Sequence, residues 1–425
     1  MLQQPATRHR YVMLLLVFGA TALNFVDRAN LAVVAPALKE AFGLDPVALG
    51  FAFSAYAWTY ALCNLPGGYL VDRFGSRTMY AVAIAIWSVL TFSQGLVTRF
   101  GTLFGLRMGV GIAEAPTFPV NNRVVSIWFP RDERGLATSV YIVGQYVGMA
   151  FLTPLMFWVF HHFGWRAVFY ATGAVGLLWS LVWYGFYRDP AASRANAAER
   201  ALLRAGGALD DTQGAKPAFS WRALRRLLSD RQIIAVCIGK FAVLSTLYFF
   251  LTWFPTYLIT ERHMTVLKTG TFAALPFIAA SIGVLFGGML SDRLLRAGMS
   301  VSAARKTPIV GGLLLVPSMT LAIFAHSDAA VIAIMSFAFF AQGVSSCSWS
   351  LMADIAPKGL IGLAGGAVNF AGNLSGIVTP IAIGYIVRGT GSFALALVLV
   401  SVFALIGAAC YTFLLGEVKR IELVD

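Results

Sequence analysis

Long apolar runs follow one another along this chain, and they decide what it can fold into. They fall near 11–35, 47–71, 78–97, 100–124, 138–160, 165–187, 233–258, 269–291, 308–325, 329–352, 360–387 and 391–416. Each is long enough to cross about 30 Å of hydrocarbon as a helix. Inside lipid every backbone N–H and C=O must be satisfied within the protein, and an uninterrupted apolar run does so as a helix. Composition agrees: 58% of the 425 residues are hydrophobic and 12% are charged, where soluble domains carry about 25% charge. The expected class is an all-α membrane protein with twelve transmembrane helices. The first run has no small-residue cleavage site and reads as a retained span, not a signal peptide.

A net charge of +13 would suit a nucleic-acid partner, but its placement argues otherwise. Lys and Arg gather in alternate loops: at Arg8 and Arg10, at Arg73 and Arg77, at Arg131 and Arg134, through 188–231, and from Arg293 to Lys306. The intervening loops hold only Lys39, Arg99, Arg166, Arg262, Lys268 and Arg388. That asymmetry is the positive-inside rule, and it puts both termini in the cytoplasm. Lipid, not nucleic acid, is the expected surrounding. Cys63, Cys237, Cys347 and Cys410 lie in apolar runs without metal-ligand spacing, and the five histidines lie in loops or at the ends of runs. No metal or cofactor is expected. No phosphate-binding glycine loop and no Ser/His/Asp constellation appears, so the chain does not read as an enzyme.

The longest polar stretch, 188–231, is rich in Ala, Gly and charge and has no apolar stripe. It reads as a cytoplasmic linker with one short surface helix. The linker divides the chain into 1–187 and 232–425, with six runs in each. The two parts echo each other: GGYLVDR at 67–73 returns as GGMLSDR at 287–293, 220 residues on. Matched motifs at matched places indicate duplication. The glycines would let two helices approach closely. The Asp can cap a neighbouring helix, and the Arg can reach inner carbonyls or headgroups.

Gly68, Asp72, Arg73, Gly75 and Arg77 have the form of the loop signature between the second and third helices of the major facilitator superfamily. Asp292 and Arg293 hold the matching places in the second half. The chain resembles that superfamily over essentially its whole length. NFVDRANLAVVAP, SAYAWTYALCNLPGGYLVDRFGSR, RMGVGIAEAPTFP and GLAGGAVNFAGNLSGIVTP further resemble the anion:cation symporter family, above all its bacterial hexonate, hexarate and hexuronate proton symporters. The resemblance implies two pseudo-symmetric six-helix halves and a multi-pass protein of the bacterial inner membrane. It also implies a monomer that imports a small organic anion with protons, gated by the repeated motif. Carriers of tartrate, phthalate and other carboxylates belong to the same family. Those substrates, and an efflux antiporter, are the alternatives.

Charges inside the runs point to the site. Of the acids, only Asp27 and Glu114 lie deep within apolar spans, with Arg28, Arg107, Arg123 and Lys240 as bases. Arg123 is close enough to a span end to snorkel. Lys240, about two turns into the seventh run, either snorkels or pairs with an acid. Arg107 and Glu114 are two turns apart and share a helix face, about 10 Å apart along the axis. Adjacent Asp27 and Arg28 must address different partners. Left uncompensated, the four charges would cost roughly 10 kcal/mol on insertion scales. A purely structural salt-bridge cluster is the bland alternative, but buried ion pairs rarely outdo apolar packing.

Arginine stays charged and offers a fork for carboxylate, so Arg28 and Arg107 are expected anion ligands. A carboxyl in a low-dielectric site can carry a proton, so Asp27 and Glu114 are expected to couple protons. The resemblance implies the same roles. Tyr60, Gln145, Ser346, Trp349 and Asn369 would supply hydrogen bonds and an apolar wall. Each alone is more often a helix–helix contact; drawn from both halves, they outline a central cavity. The aromatics of 248–258 are expected mostly to face lipid or neighbouring helices. Phe25 stands where many sugar-acid relatives carry a tyrosine. One hydroxyl ligand fewer leaves room for a less hydroxylated acid.

Overall fold

The computed structural model describes residues 5–208, 221–346, 351, 355–357 and 361–421. Among them every regular element is a helix. The first, α1 (His9–Phe42), ends at Gly43, whose φ of 63° supplies the left-handed turn that stops a helix. Several later helices start on a side-chain cap that takes up an otherwise unpaired N–H. Asp45 accepts from the Ala48 N–H at 2.7 Å, Asp230 from the Gln232 N–H at 2.8 Å, and Ser327 from the Ala330 N–H at 3.2 Å.

Ten of the described helices are long and apolar enough to cross a membrane. The third and fourth runs account for the difference from twelve. The third continues from the second in one element, α2 (Pro46–Gln94), which Gly75 bends with φ 72° and ψ 161°. The fourth is divided into α3 (Phe100–Glu114) and α4 (Thr117–Trp128) at Ala115–Pro116. Proline has no N–H for the ladder, so the helix breaks there.

The order continues with α5 (Arg134–Phe163), α6 (Trp165–Phe186), two short helices α7 (Ala197–Ala205) and α8 (Trp221–Ser229), then α9 (Arg231–Tyr248). After a five-residue π turn, Phe249–Trp253, come α10 (Phe254–Thr260), α11 (Val266–Arg296), α12 (Val301–Leu315) and α13 (Asp328–Ser345). The last three are α14 (Ile361–Asn373), α15 (Ser375–Thr390) and α16 (Ala394–Ala409).

The repeated motif is repeated in packing too. A Cβ on Gly67 would stand 3.1 Å from the Pro116 nitrogen, and one on Gly287 would stand 2.4 Å from the Val344 carbonyl oxygen. Each first glycine thus meets the backbone of a partner helix, while Gly68 and Gly288 face open space. The close approach expected of both glycines falls on the first of each pair. Arg77 donates from Nε and a terminal nitrogen to the Tyr184 carbonyl, both at 3.0 Å, and lies over the Tyr184 ring. Asp292 accepts from Arg305 at 3.4 Å. Arg73 stacks on Phe74, and Arg293 sits in the last turn of α11.

The linker departs from the expectation of one loose surface helix. Its described residues include two α-helices, and α7 is docked on the first six spans. Glu199 is fully buried and accepts from the backbone N–H of His9 and Arg10 at 3.1 and 3.0 Å. Arg10 ties it further to Glu133, at 3.1 Å. Leu203 is buried beside it. A docking stripe of one leucine and one acid is too short to stand out as periodicity.

The apolar core has two parts. One joins residues from both sets of six spans, including Phe53, Trp253 and Phe393; the other is built by the first six spans with Ala195 and Leu203 of the linker, and Ile377 packs against it. The first six spans enter the shared part from their ends opposite the chain termini. There α2 packs on α15 so closely that a Cβ on Gly50 would be 2.6 Å from the Pro380 carbonyl oxygen, and one on Gly384 equally close to that of Pro46. Phe53 meets Trp253 edge to face at 5.2 Å, and Arg388 reaches Asp45 at 3.3 Å.

Candidate functional site

Two helices bring the four charges of the first and fourth spans together. α1 carries Asp27 and Arg28, and α3 carries Arg107 and Glu114. Glu114 is fully buried, and its Oε2 accepts from Arg28 Nε at 3.2 Å. The Arg28 guanidinium lies over Phe25, Tyr56 and Tyr60, with its carbon 4.5–4.7 Å from the three ring centres. A guanidinium is weakly hydrated and binds aromatic faces, so such a cage can hold it away from water. One terminal nitrogen of Arg28 has no protein partner.

Asp27 addresses a different partner, as adjacency on a helix demands. It accepts from the Asn30 amide at 3.2 Å, and Asn30 donates on to Thr172 of α6 at 2.8 Å. Its carboxyl is 2% exposed and turned away from the cavity described next.

Arg107 corrects an expectation. It does not line the cavity. Its two terminal nitrogens donate to the backbone carbonyls of Asp27 and Arg28, at 3.1 and 3.3 Å. Its Nε has no protein partner. Arg107 holds the backbone of Asp27 and of Arg28, the second of which lines the cavity.

Beside the Arg28–Glu114 pair is a narrow cavity lined by residues of both sets of six spans. Arg28, Tyr60, Gln145, Ser346 and Asn369 all line it, together with Phe25. Trp349 lies outside the described residues, and nothing is described of the Asp72 side chain. Sequence reasoning missed Tyr146, Tyr248 and Asn373. Asn373 is one turn from Asn369 and donates to it at 2.8 Å, a spacing that could have flagged it. Tyr248 donates to Asn373 at 3.0 Å. The aromatics of 248–258 are all buried, which agrees with the expected contact with neighbouring helices, and Tyr248 also reaches the cavity. The π turn after Tyr248, just before Pro255, re-aims that stretch. Lys240 does not snorkel. It is 7% exposed and lines the cavity.

With this geometry in hand, the likenesses of the chain can be placed. A profile of the Major Facilitator Superfamily matches residues 17–380. The chain is 45% identical over 97% of both chains to a D-galactonate transporter of Escherichia coli O6:H1. It is 43% identical, over 99% of this chain and 96% of the other, to a probable galactarate/D-glucarate transporter of Escherichia coli K12. Among solved structures it is similar to a bacterial homologue of the human lysosomal transporter Spinster, inward-facing and unoccupied. There the TM-score is 0.73 at 22% identity, covering 96% of this chain and 97% of that one.

Proposed function

This chain is a member of the major facilitator superfamily, a multi-pass membrane transporter and not an enzyme, and on that premise we propose that it imports a sugar acid by proton symport and alternating access. The names of its relatives support the substrate class: one is named for D-galactonate, another for galactarate and D-glucarate. The observation that carries the mechanism is the Arg28–Glu114 pair, 3.2 Å long and buried, with Arg28 in the wall of the cavity.

Removing one member of a buried ion pair typically costs about 3–5 kcal/mol, because the other charge is left alone. Protonating Glu114 would remove its charge and strand the Arg28 guanidinium. A substrate carboxylate at the cavity then replaces the lost partner, using the fork that only arginine offers. Proton uptake and anion binding each favour the other, as linkage requires. Asp27 sits between α1 and α6 through Asn30 and Thr172, so its protonation acts on helix packing and serves the switch between access states. Two buried acids support more than one proton per monoanion. Each charge moved against the potential costs about 2.3 kcal/mol per 100 mV, so an extra proton makes uptake driven by the potential. Arg28, Tyr60, Gln145, Ser346 and Asn369 hold the substrate. The repeated GGxxxDR loops gate, with both termini in the cytoplasm.

Reconstituted vesicles test this. Glu114→Gln, which mimics the protonated acid, should still exchange labelled sugar acid but fail to accumulate it under a proton gradient. Asp27→Asn should impair both. Accumulation by Glu114→Gln as steep as wild type would remove Glu114 from the coupling mechanism.

A further inference from the structure

Behind the cavity wall, α1 meets α3 and α4 along a polar strip. On α1, Thr21, Asn24 and Arg28 follow at spacings of three and four, which puts them on one face. Glu114, Thr117 and Asn121 repeat those spacings across the break at Pro116. Arg28 donates to Glu114 at 3.2 Å, and seven residues away on each helix Asn121 donates to Thr21 at 3.0 Å. The two helices run in opposite directions, so Asn24 and Thr117 lie across from each other between these two bonds. Thr21, Asn24, Glu114, Thr117 and Asn121 are all fully buried. Yet both polar atoms of the Asn24 amide, the Thr117 hydroxyl, the Asn121 amide oxygen and Glu114 Oε1 have no protein partner. None of these five residues lines the cavity, whereas Phe25 and Phe118, next in the chain to Asn24 and Thr117, do.

A buried amide or hydroxyl without a partner is costly, and four such side chains in one strip call for something polar among them. A buried water molecule binds about three groups of this kind. From this we infer that the strip is a water-binding site whose waters carry the coupling proton of Glu114 away from the substrate. The proton leaves the Glu114 carboxyl for a water of the strip and moves by hydrogen bonds past Asn24 and Thr117 to Asn121. The carboxylate left behind keeps Arg28 as its partner. The strip runs toward the end of the bundle that holds the chain termini. Its last member, Asn121, is followed by Asn122, which is exposed and accepts from Tyr141 at 2.7 Å. Phe25 and Phe118 stand between the strip and the cavity, so proton and anion leave Glu114 and Arg28 on separate sides of an apolar wall.

The inference rests on the reading of Glu114 as a coupling acid, and the experiment keeps the two apart. Asn24→Leu with Thr117→Val makes the strip apolar at nearly constant volume. In reconstituted vesicles the double variant should lose at least about tenfold in the rate of galactonate uptake driven by a proton gradient. Its galactonate exchange, and its binding by calorimetry, should stay within about twofold of wild type. Asn24→Ser with Thr117→Ser, which keeps hydroxyls in the strip, should retain most of the wild-type uptake. Unchanged uptake in the apolar variant, or uptake and exchange lost together, overturns the inference and leaves Glu114 in the coupling mechanism. If Glu114→Gln accumulates galactonate as steeply as wild type, the reading of Glu114 fails and takes this inference with it. A high-resolution density map of the wild-type protein should hold ordered water against Asn24 and Thr117. A dry strip overturns the inference, and the map decides even where the variant does not fold or the acid carried is not galactonate.

Discussion

Arg28 and Arg107 carry the same group into opposite surroundings. Arg28 keeps a terminal nitrogen without a protein partner at the cavity wall, while Arg107 gives both of its own to the carbonyls of Asp27 and Arg28. A lysine at 107 could satisfy one of those carbonyls at a time. Arg107→Lys should therefore let this part of α1 shift and weaken every sugar acid by a common factor, about tenfold, from one lost charge-assisted hydrogen bond. The ratio of galactarate to galactonate affinity should stay put. Calorimetry with both acids checks this, and a selective loss of one acid would return Arg107 to direct contact with substrate. The sequence made the four charges legible because charge inside an apolar run is costly and therefore conspicuous. Which acid met which arginine was not legible. Seven-residue spacing put Glu114 and Arg107 on one face, yet the partner that closes on Glu114 comes from α1. Tyr248 and Lys240 were equally hard to assign, since the side a helix turns to its neighbour depends on packing that no single run contains.

At the scale of elements, the spans themselves were plain from length and apolarity, and their interruptions were only partly so. Pro116 breaks the fourth span where proline should, but nothing in FFLTW announces the π turn at Phe249–Trp253. The docked linker helix was hidden for a similar reason: its hold is one acid, Glu199, on the first N–H groups of α1. The repeated glycines allow a sharper test. Gly287→Ala would push a methyl into the Val344 backbone, which cannot swing aside, whereas Gly288→Ala meets nothing within 4 Å. The first should destabilise by about 1–3 kcal/mol, the usual cost of overpacking, and lower the melting temperature in detergent. The second should leave it within error of wild type. Equal effects would mean that the motif's glycines serve backbone conformation instead of helix contact.

The whole molecule is held together unevenly. Residues of both sets of six spans share one apolar core, which the first six enter from their ends opposite the termini, while the other core is built mainly by the first six spans with Ala195 and Leu203 of the linker. At the shared end the seam is close: Gly50 and Gly384 bring α2 and α15 into backbone contact, and Phe53 of α2 meets Trp253 edge to face at 5.2 Å. The Asp45–Arg388 pair is half-exposed and adds at most about 1 kcal/mol, as surface pairs do. Packing, not charge, closes this end. The rocking proposed above requires that seam to part and re-form in each cycle. A leucine at Gly384 has no room beside the Pro46 carbonyl and should hold the seam open. In a cysteine-free background, a cysteine at Phe53, buried against Trp253, should resist a membrane-impermeant maleimide. Adding Gly384→Leu should raise its labelling from the side opposite the termini several-fold and stop accumulation of substrate, while Asp45→Asn should change neither. Labelling at Phe53 that is already fast without the leucine, or unaltered by it, would place the moving contact elsewhere and leave the glycine seam as a fixed joint.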